Sequence, residues 1–482
     1  MNQRNVPIFL AILALSIASL ACQAATDLAK PTEAIKPTEA IVATQVIEAT
    51  PPSKPTETPA QTSIQPAVMT STGPGRLCVG TQTGLNCLDE NGWQVYTEEN
   101  SNLPSNYLYA GAVCPDGSLV IAHSRGISLF DGKTWKQIPG TDAFSSAESI
   151  ACEANNGIWV AHFRGVSYYA KGQWTTYGSQ EFGSGDSASE LVYAVEVAPD
   201  GKVWVLASRS VAMFSDGTWT IYQEGQGFHE SRFFNALTVD ARGRPWAAHS
   251  NGVDVFENGT WQLIKKPDFN SPTSLAVDAK GQTWLGTLSA GALMFDNYAW
   301  VQYDRSSESL SSNHVAALAA DSSGRVWLGT TYGLTVFDGT NWRTFLMGNS
   351  DLGDNDIRFI LVTNDGPTLP LPAEKEKASL TGKLRDADQN PLVDMRVEIC
   401  VEIVGSTYNG ATPCSDQPFF LSTKTDKSGV FLFENIPAGY YVVVAETGSS
   451  WAQLTDQFGI SSERTLIQAG EKFDIETLTL EK

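Results

Sequence analysis

One stretch, RVWLGTTYGLTVFDGTNW at residues 325–342, is written seven times along this chain with variations. Val326-Trp327-Leu328 and Leu334-Thr335-Val336-Phe337 alternate around Thr331-Tyr332, and Asp338-Gly339 follows, which predicts a β-hairpin leading into a further turn. A lone hairpin is marginal in water, so the repeats must pack on one another. The copies begin at the turn glycines Gly75, Gly117, Gly157, Gly201, Gly243, Gly281 and Gly324, at intervals of 42, 40, 44, 42, 38 and 43 residues. A period of this length with about four short strands per unit predicts an all-β fold, a seven-bladed β-propeller over 75–366.

The strand before each turn glycine, as in NALTVDARG at 235–243 or VAALAADSSG at 315–324, carries small and branched residues suited to the crowded centre. The chain enters at Arg76 without such a strand and supplies a spare one, DIRFILVTNDG, at 356–366. That strand is expected to complete the first blade and close the ring, which removes the free edges.

Composition changes sharply outside the repeats. Arg4 precedes an apolar run from Val6 to Ala18, then Ser19-Leu20-Ala21-Cys22, a pattern similar to a bacterial lipoprotein signal with Cys22 acylated. An ordinary secretory signal and a short uncleaved anchor are the alternatives, and all three export the chain. Residues 23–74 are rich in Pro, Thr, Ala and Glu, repeat Lys-Pro-Thr-Glu-Ala-Ile at 30–35 and 36–41, and hold too few bulky side chains to repay ordering. They predict an extended tether that lifts a globular head from a membrane. With 32 Lys plus Arg against 53 Asp plus Glu, the net charge is −21, which argues against nucleic acid as a partner.

The repeats resemble the two-component regulator propeller family. Trp327-Leu328-Gly329-Thr330, Gly333-Leu334 and Phe337-Asp338-Gly339 match its strand pattern, and Leu103-Pro104-Ser105-Asn106, Leu310-Ser311-Ser312-Asn313 and Leu352-Gly353-Asp354-Asn355 match its preceding turn. The resemblance implies an extracytoplasmic sensing or binding propeller. After a Pro- and charge-rich joint at 367–377, residues 378–482 resemble the carboxypeptidase regulatory-like, prealbumin-type β-sandwich, on Asn390-Pro391-Leu392, Gly429-Val430-Phe431 and Ile436-Pro437-Ala438-Gly439-Tyr440. That resemblance implies no catalysis.

Seven cysteines less Cys22 leave six. Cys78 and Cys87 stand symmetrically about the turn Gln82-Thr83, at a non-hydrogen-bonded pair close enough for a disulfide. Cys400 and Cys414 share the C-terminal domain, and elimination leaves Cys114 with Cys152. The absence of CxxC spacing argues against metal binding.

No phosphate loop, GxSxG elbow or HExxH is present, so no catalytic residue or cofactor is assigned and binding is favoured over catalysis. The candidate site lies on the hairpin turns. Three residues beyond the repeat's Trp position stand Thr81, His123, His162, Ala207, His249, Thr287 and Thr330; two further on stand Arg125, Arg164 and Arg209 in three consecutive blades. A cationic sector is expected there, facing long connections that carry Phe182 and Phe228, with a glycan or small anionic molecule as ligand. The competing reading pairs these arginines with neighbouring acids. A structural or protein-interaction module of the envelope is the alternative function, and a carbohydrate lyase or hydrolase the third.

Overall fold

The computed structural model describes residues 76–141, 147–163, 165–178, 181, 191–223, 234–265, 271–307, 310–347, 349–363, 369–373, 375–400, 412–414, 419–448, 450–454 and 465–480. Their strands form seven four-stranded antiparallel sheets and a two-sheet unit at the C-terminal end. Each blade runs from an inner strand outward. The inner strands are Leu108–Val113, Ala147–Cys152, Val192–Val197, Phe234–Val239, Pro272–Val277 and Val315–Ala320 in blades two to seven, and Phe359–Val362 in blade one. Each touches its neighbour around the ring, including the pair that meets across the chain ends, so the propeller is closed. Closure is by the spare strand: Phe359–Val362 pairs antiparallel with Leu77–Gly80, Gly80 opposite Phe359 and Leu77 opposite Val362. Ile357, fully buried, joins Leu77, Val79 and Trp327 in the core between blades seven and one.

A repeated hydrogen-bond hub explains the Trp of the second strand. Asp240, Asp278 and Asp321 sit six residues before Trp246, Trp284 and Trp327 and accept from the indole Nε1 at 3.0, 3.2 and 3.1 Å. In blade three Glu153 takes the same part toward Trp159 at 2.8 Å. Each Asp also accepts from backbone N–H groups two and four residues on, which shapes the turn into the second strand. Blade four departs from the pattern: Ala198 holds the Asp position, and the buried Nε1 of Trp204 has no partner among the described residues. In blade two the position is Cys114, and Val120 replaces the Trp that would have needed a carboxylate.

The Asp-Gly turns between third and fourth strands are structural in the same sense. Asp131 accepts from the backbone of Lys133 and Thr134 at 2.8 and 2.7 Å, and Gly132 takes φ 93°. The Trp that follows packs across the blade boundary, as Trp342 does against Trp284 at 6.2 Å.

Three disulfides join Cys78 to Cys87, Cys114 to Cys152 and Cys400 to Cys414. The first spans directly opposed residues of one hairpin, with Cα atoms 4.0 Å apart. The second ties the inner strand of blade two to that of blade three. Disulfides of this kind belong to an oxidising, extracytoplasmic compartment.

The joint after the propeller is docked where it is described. Leu369 is buried beside Trp327, its carbonyl accepts from Arg325 Nη1 at 2.7 Å, the Pro372 carbonyl accepts from Arg343, and Lys375 pairs with Asp351 at 2.7 Å. Beyond it, Val430–Ile436, Ala378–Arg385 and Lys472–Thr479 form one sheet, the last two parallel. Phe420–Lys424, Arg396–Cys400, Gly439–Thr447 and Ser450–Leu454 form the other, to which Thr465–Ile467 adds. Leu380, Ile399, Phe431 and Val443 fill the space between them.

Candidate functional site

The turns between second and third strands and the connections that enter each blade lie on one face of the ring. Ser124 N–H donates to the Tyr107 carbonyl at 3.1 Å, Ser208 to Leu191 at 2.9 Å and Leu288 to Ser271 at 3.1 Å, so turn and entry segment brace one another in blades two, four and six.

Within these turns, His and Thr share one role. Thr81, Thr287 and Thr330 accept through Oγ1 from the backbone of Thr83, Ala290 and Tyr332 at 3.2, 2.9 and 3.0 Å. His123 and His249 accept through Nδ1 from Arg125 and Asn251, both at 3.2 Å. The far nitrogen of each imidazole meets a side chain five residues on, Ser128 Oγ at 2.9 Å, Ser167 Oγ at 2.9 Å for His162, and Asp254 Oδ2 at 3.1 Å. His123 is wholly buried, and burial, reinforced by the Arg125 charge, pushes its pKa down to about 4. With Nδ1 accepting, Nε2 carries the proton and donates to Ser128. His123 is therefore a neutral turn residue folded into the blade, which corrects its assignment to a ligand-facing cationic sector.

Arg125 stays on the surface, its side chain 64% exposed, but is not idle. Its Nη1 donates to the Pro104 carbonyl at 2.6 Å and lies 3.3 Å from Glu98, both in the segment entering blade two. Arg209 is exposed at the equivalent turn of blade four and forms no ion pair with another described residue. Arg164, Phe182 and Phe228 lie outside the described residues, as does Cys22.

The structure adds a ring of residues that spacing did not single out. In blades two to seven the inner strand slips register by one residue near its start, leaving a bulged position at Tyr109, Glu148, Tyr193, Asn235, Thr273 and Ala316. Arg358 takes this place in blade one, its N–H bonded to the Gly80 carbonyl at 2.9 Å. These residues lie at the inner rim of the face that bears the turns. Their signal was available: aligning the spare strand with the other inner strands puts Arg358 in a column otherwise filled by Tyr, Glu, Asn, Thr and Ala. On the other face, a cleft of about 420 Å³ lies beside Cys152, lined by Pro115, Glu153, Pro199 and Gly201.

Deeper in the ring, burial pushes the Glu196 carboxyl up to about 7. Its folded pKa exceeds the unfolded one, so the stability it contributes is present below the ordinary carboxylate range and lost as pH rises to about 7. Glu196→Gln is expected to raise the melting temperature at pH 8 and leave it nearly unchanged at pH 4. Equal shifts at both pH values in calorimetry would refute this.

Two features now converge: seven blades of one hairpin, and a blade-seven entry turn, Leu310-Ser311-Ser312-Asn313, whose Ser311 hydroxyl meets Thr330 at the end of that blade's second strand at 3.1 Å. The chain carries a two component regulator propeller repeat. The match covers residues 309–332, which include that turn and Trp327-Leu328-Gly329-Thr330. Among solved structures, this chain is similar to the extracellular domain of a protein assigned as a hybrid two component system from B. thetaiotaomicron, at 21% identity over 54% of this chain and 36% of that one, TM-score 0.45. A second such domain from the same organism is 14% identical over 78% and 65%, TM-score 0.45. Virginiamycin B lyase from Staphylococcus aureus is 14% identical over 50% and 84%, TM-score 0.42. This chain thus spans less than two thirds of the first two proteins, and likeness at this level speaks to neither ligand nor activity. No curated protein matches it.

Proposed function

We propose that this is a lipid-anchored binding or sensing module of the cell surface, whose turn-bearing face takes a glycan or small anionic ligand. The observation that carries the reading is the bracing of turns by entry segments on that face, which gives a closed, rigid ring one surface where side chains from many blades are held in fixed positions. Arg209 is an available cation there, and Arg125 becomes one if a ligand carboxylate displaces Glu98. The test titrates uronate- and sulfate-bearing oligosaccharides against the detergent-solubilised full chain and its Arg125→Ala and Arg209→Ala variants. Loss of affinity by severalfold in either variant supports the reading, and no binding by any form removes it.

The pairing of Arg125 with Glu98 favours a second reading, an interaction module of the envelope in which this turn cation is already neutralised. Anchoring belongs to both readings. No helix among the described residues is long and apolar enough to cross a membrane. Cys22→Ala is expected to move the protein from the membrane to the soluble fraction. Continued membrane association, with no lipid label on the wild type, would exclude acylation.

A further inference from the structure

Four arginines among the described residues of this propeller lie against aromatic rings, Arg343 on Phe345 at 4.7 Å with a donor on the Pro372 carbonyl, and they fall into two kinds. Arg244 and Arg325 stack on Trp246 and Trp327 at 5.2 and 5.3 Å and drive Nε onto a buried Asp at 2.8 and 2.6 Å. Their remaining donors reach Glu257 and the Leu369 carbonyl. Those are structural arginines, each with two donors committed to acceptors within the fold. Arg358 differs. Its guanidinium carbon lies 4.5 Å from the Tyr107 ring centroid, and Nη2 reaches the Tyr107 hydroxyl at 3.3 Å. The nearest described carboxylate, Asp356, stands 3.9 Å from Nε and is itself held by Gln82 Nε2 at 2.6 Å. The guanidinium is thus oriented by a ring face while most of its five donors remain open.

The place matters as much as the partners. Arg358 occupies the bulged position of blade one, Tyr107 the entry of blade two and Tyr109 the bulged position of blade two, with Tyr107 and Tyr109 meeting edge to face at 5.4 Å. Tyr107 is 42% exposed, far more than an aromatic serving only to seal the ring. An exposed ring, a second ring at right angles and an oriented, underused guanidinium sit together at the inner rim of the proposed binding face.

We propose that Arg358, Tyr107 and Tyr109 form an acid-sugar subsite, in which the guanidinium takes the carboxylate of a uronate through two parallel N–H bonds and Tyr107 packs against its ring. The fork matches a planar carboxylate, and holding it against Tyr107 beforehand lowers the ordering cost on binding. The inference rests on the glycan-binding reading above and goes beyond it by naming the subsite and the sugar class.

The test is calorimetric titration of tetragalacturonate, with a neutral galactose tetrasaccharide of equal length as control. It uses the full chain, Arg358→Lys, Tyr107→Ala and the two turn variants. Arg358→Lys keeps the charge and the stem but loses the fork, so it is expected to bind at least tenfold more weakly with its melting temperature within a few degrees of wild type. Tyr107→Ala is expected to lose a comparable factor. Wild-type affinity in Arg358→Lys overturns the subsite while leaving the glycan reading intact. Equal binding of the neutral sugar overturns carboxylate recognition, and no binding by wild type overturns both.

Discussion

Gly80→Val is expected to destabilise the propeller by about 3 kcal/mol, at the upper end of what overpacking costs, and to shift the protein toward aggregates on size exclusion. The reason is the side chain that closes the ring. At the inner-strand position just after the bulge the other blades carry Ala110, Ser149, Ala194, Ala236, Ser274 and Ala317, but blade one carries Phe359. The room comes from two glycines. A Cβ on Gly80 would lie 2.0 Å from Phe359 Cε1, and one on Gly111 would lie 2.9 Å from Cε2 of the same ring and 2.9 Å from Ile121 Cδ1. Phe359 thus lies in a slot between the first and second blades, and a branched residue at Gly80 drives it out. Phe359→Ala alone loses the packing of that ring, yet combined with Gly80→Val it should recover part of the stability, because the clash disappears. Chemical denaturation of the two single variants and the double variant measures that coupling. A Gly80→Val protein as stable as wild type, or a double variant equal to the sum of the singles, would show that Phe359 does not latch the ring.

The same slot marks where reading the sequence stops. Seven turn glycines and alternating runs repeat locally, so blade number, the spare strand and the Cys78–Cys87 register follow from spacing alone. Small residues are expected on every inner strand, and Phe359 breaks that expectation because its accommodation depends on Gly80, 279 positions away by number (359 − 80). Arg358 and Tyr107 are likewise 251 residues apart, and no local pattern joins them. The histidines fail for a different reason. His123 looks like a surface group at a turn, and only the burial of its ring shows that it does the work of Thr81 and Thr330, accepting one backbone N–H. The clue lay in the column itself: a position that holds His or Thr in six of seven blades is one where a short-range acceptor is wanted. The arginines one turn away are resolved only in part, since Arg125 pairs with Glu98, the contact that abundant acidic residues made the competing expectation.

Asp321→Ala is expected to cost about 3–5 kcal/mol, the range for breaking a buried charged hub by removing one partner. Its carboxylate accepts from Ser323 N and Oγ at 3.0 and 2.6 Å, Arg325 N at 3.0 Å, Arg325 Nε at 2.6 Å and Trp327 Nε1 at 3.1 Å. Alanine would leave a guanidinium and an indole N–H, both buried, without their acceptor, and would loosen the turn that starts the second strand of blade seven. Burial by itself raises the Asp321 pKa, but the hydrogen bonds from Ser323, Trp327 and Arg325 outweigh it and hold the carboxyl below its ordinary value; Asp240 in blade five behaves alike. A depressed carboxyl contributes stability that is present above the ordinary carboxylate range and lost as pH falls through the lowered pKa. The penalty of Asp321→Ala should therefore be large at pH 7 and shrink in strong acid, where the wild-type carboxylate is protonated too. Blade four offers the converse experiment. Its turn already makes the Ala198 N–H to Lys202 carbonyl bond at 2.8 Å that Asp240 makes to Arg244 at 3.0 Å, and Trp204 Nε1 waits without a partner among the described residues. Ala198→Asp is expected to add about 1 kcal/mol at pH 7 and nothing in strong acid. Denaturant titrations of both variants at the two pH values decide the matter: a pH-independent effect of Asp321→Ala, or destabilisation by Ala198→Asp, would mean that the carboxylate-to-indole bond is not what fixes the Trp in the blades that have it.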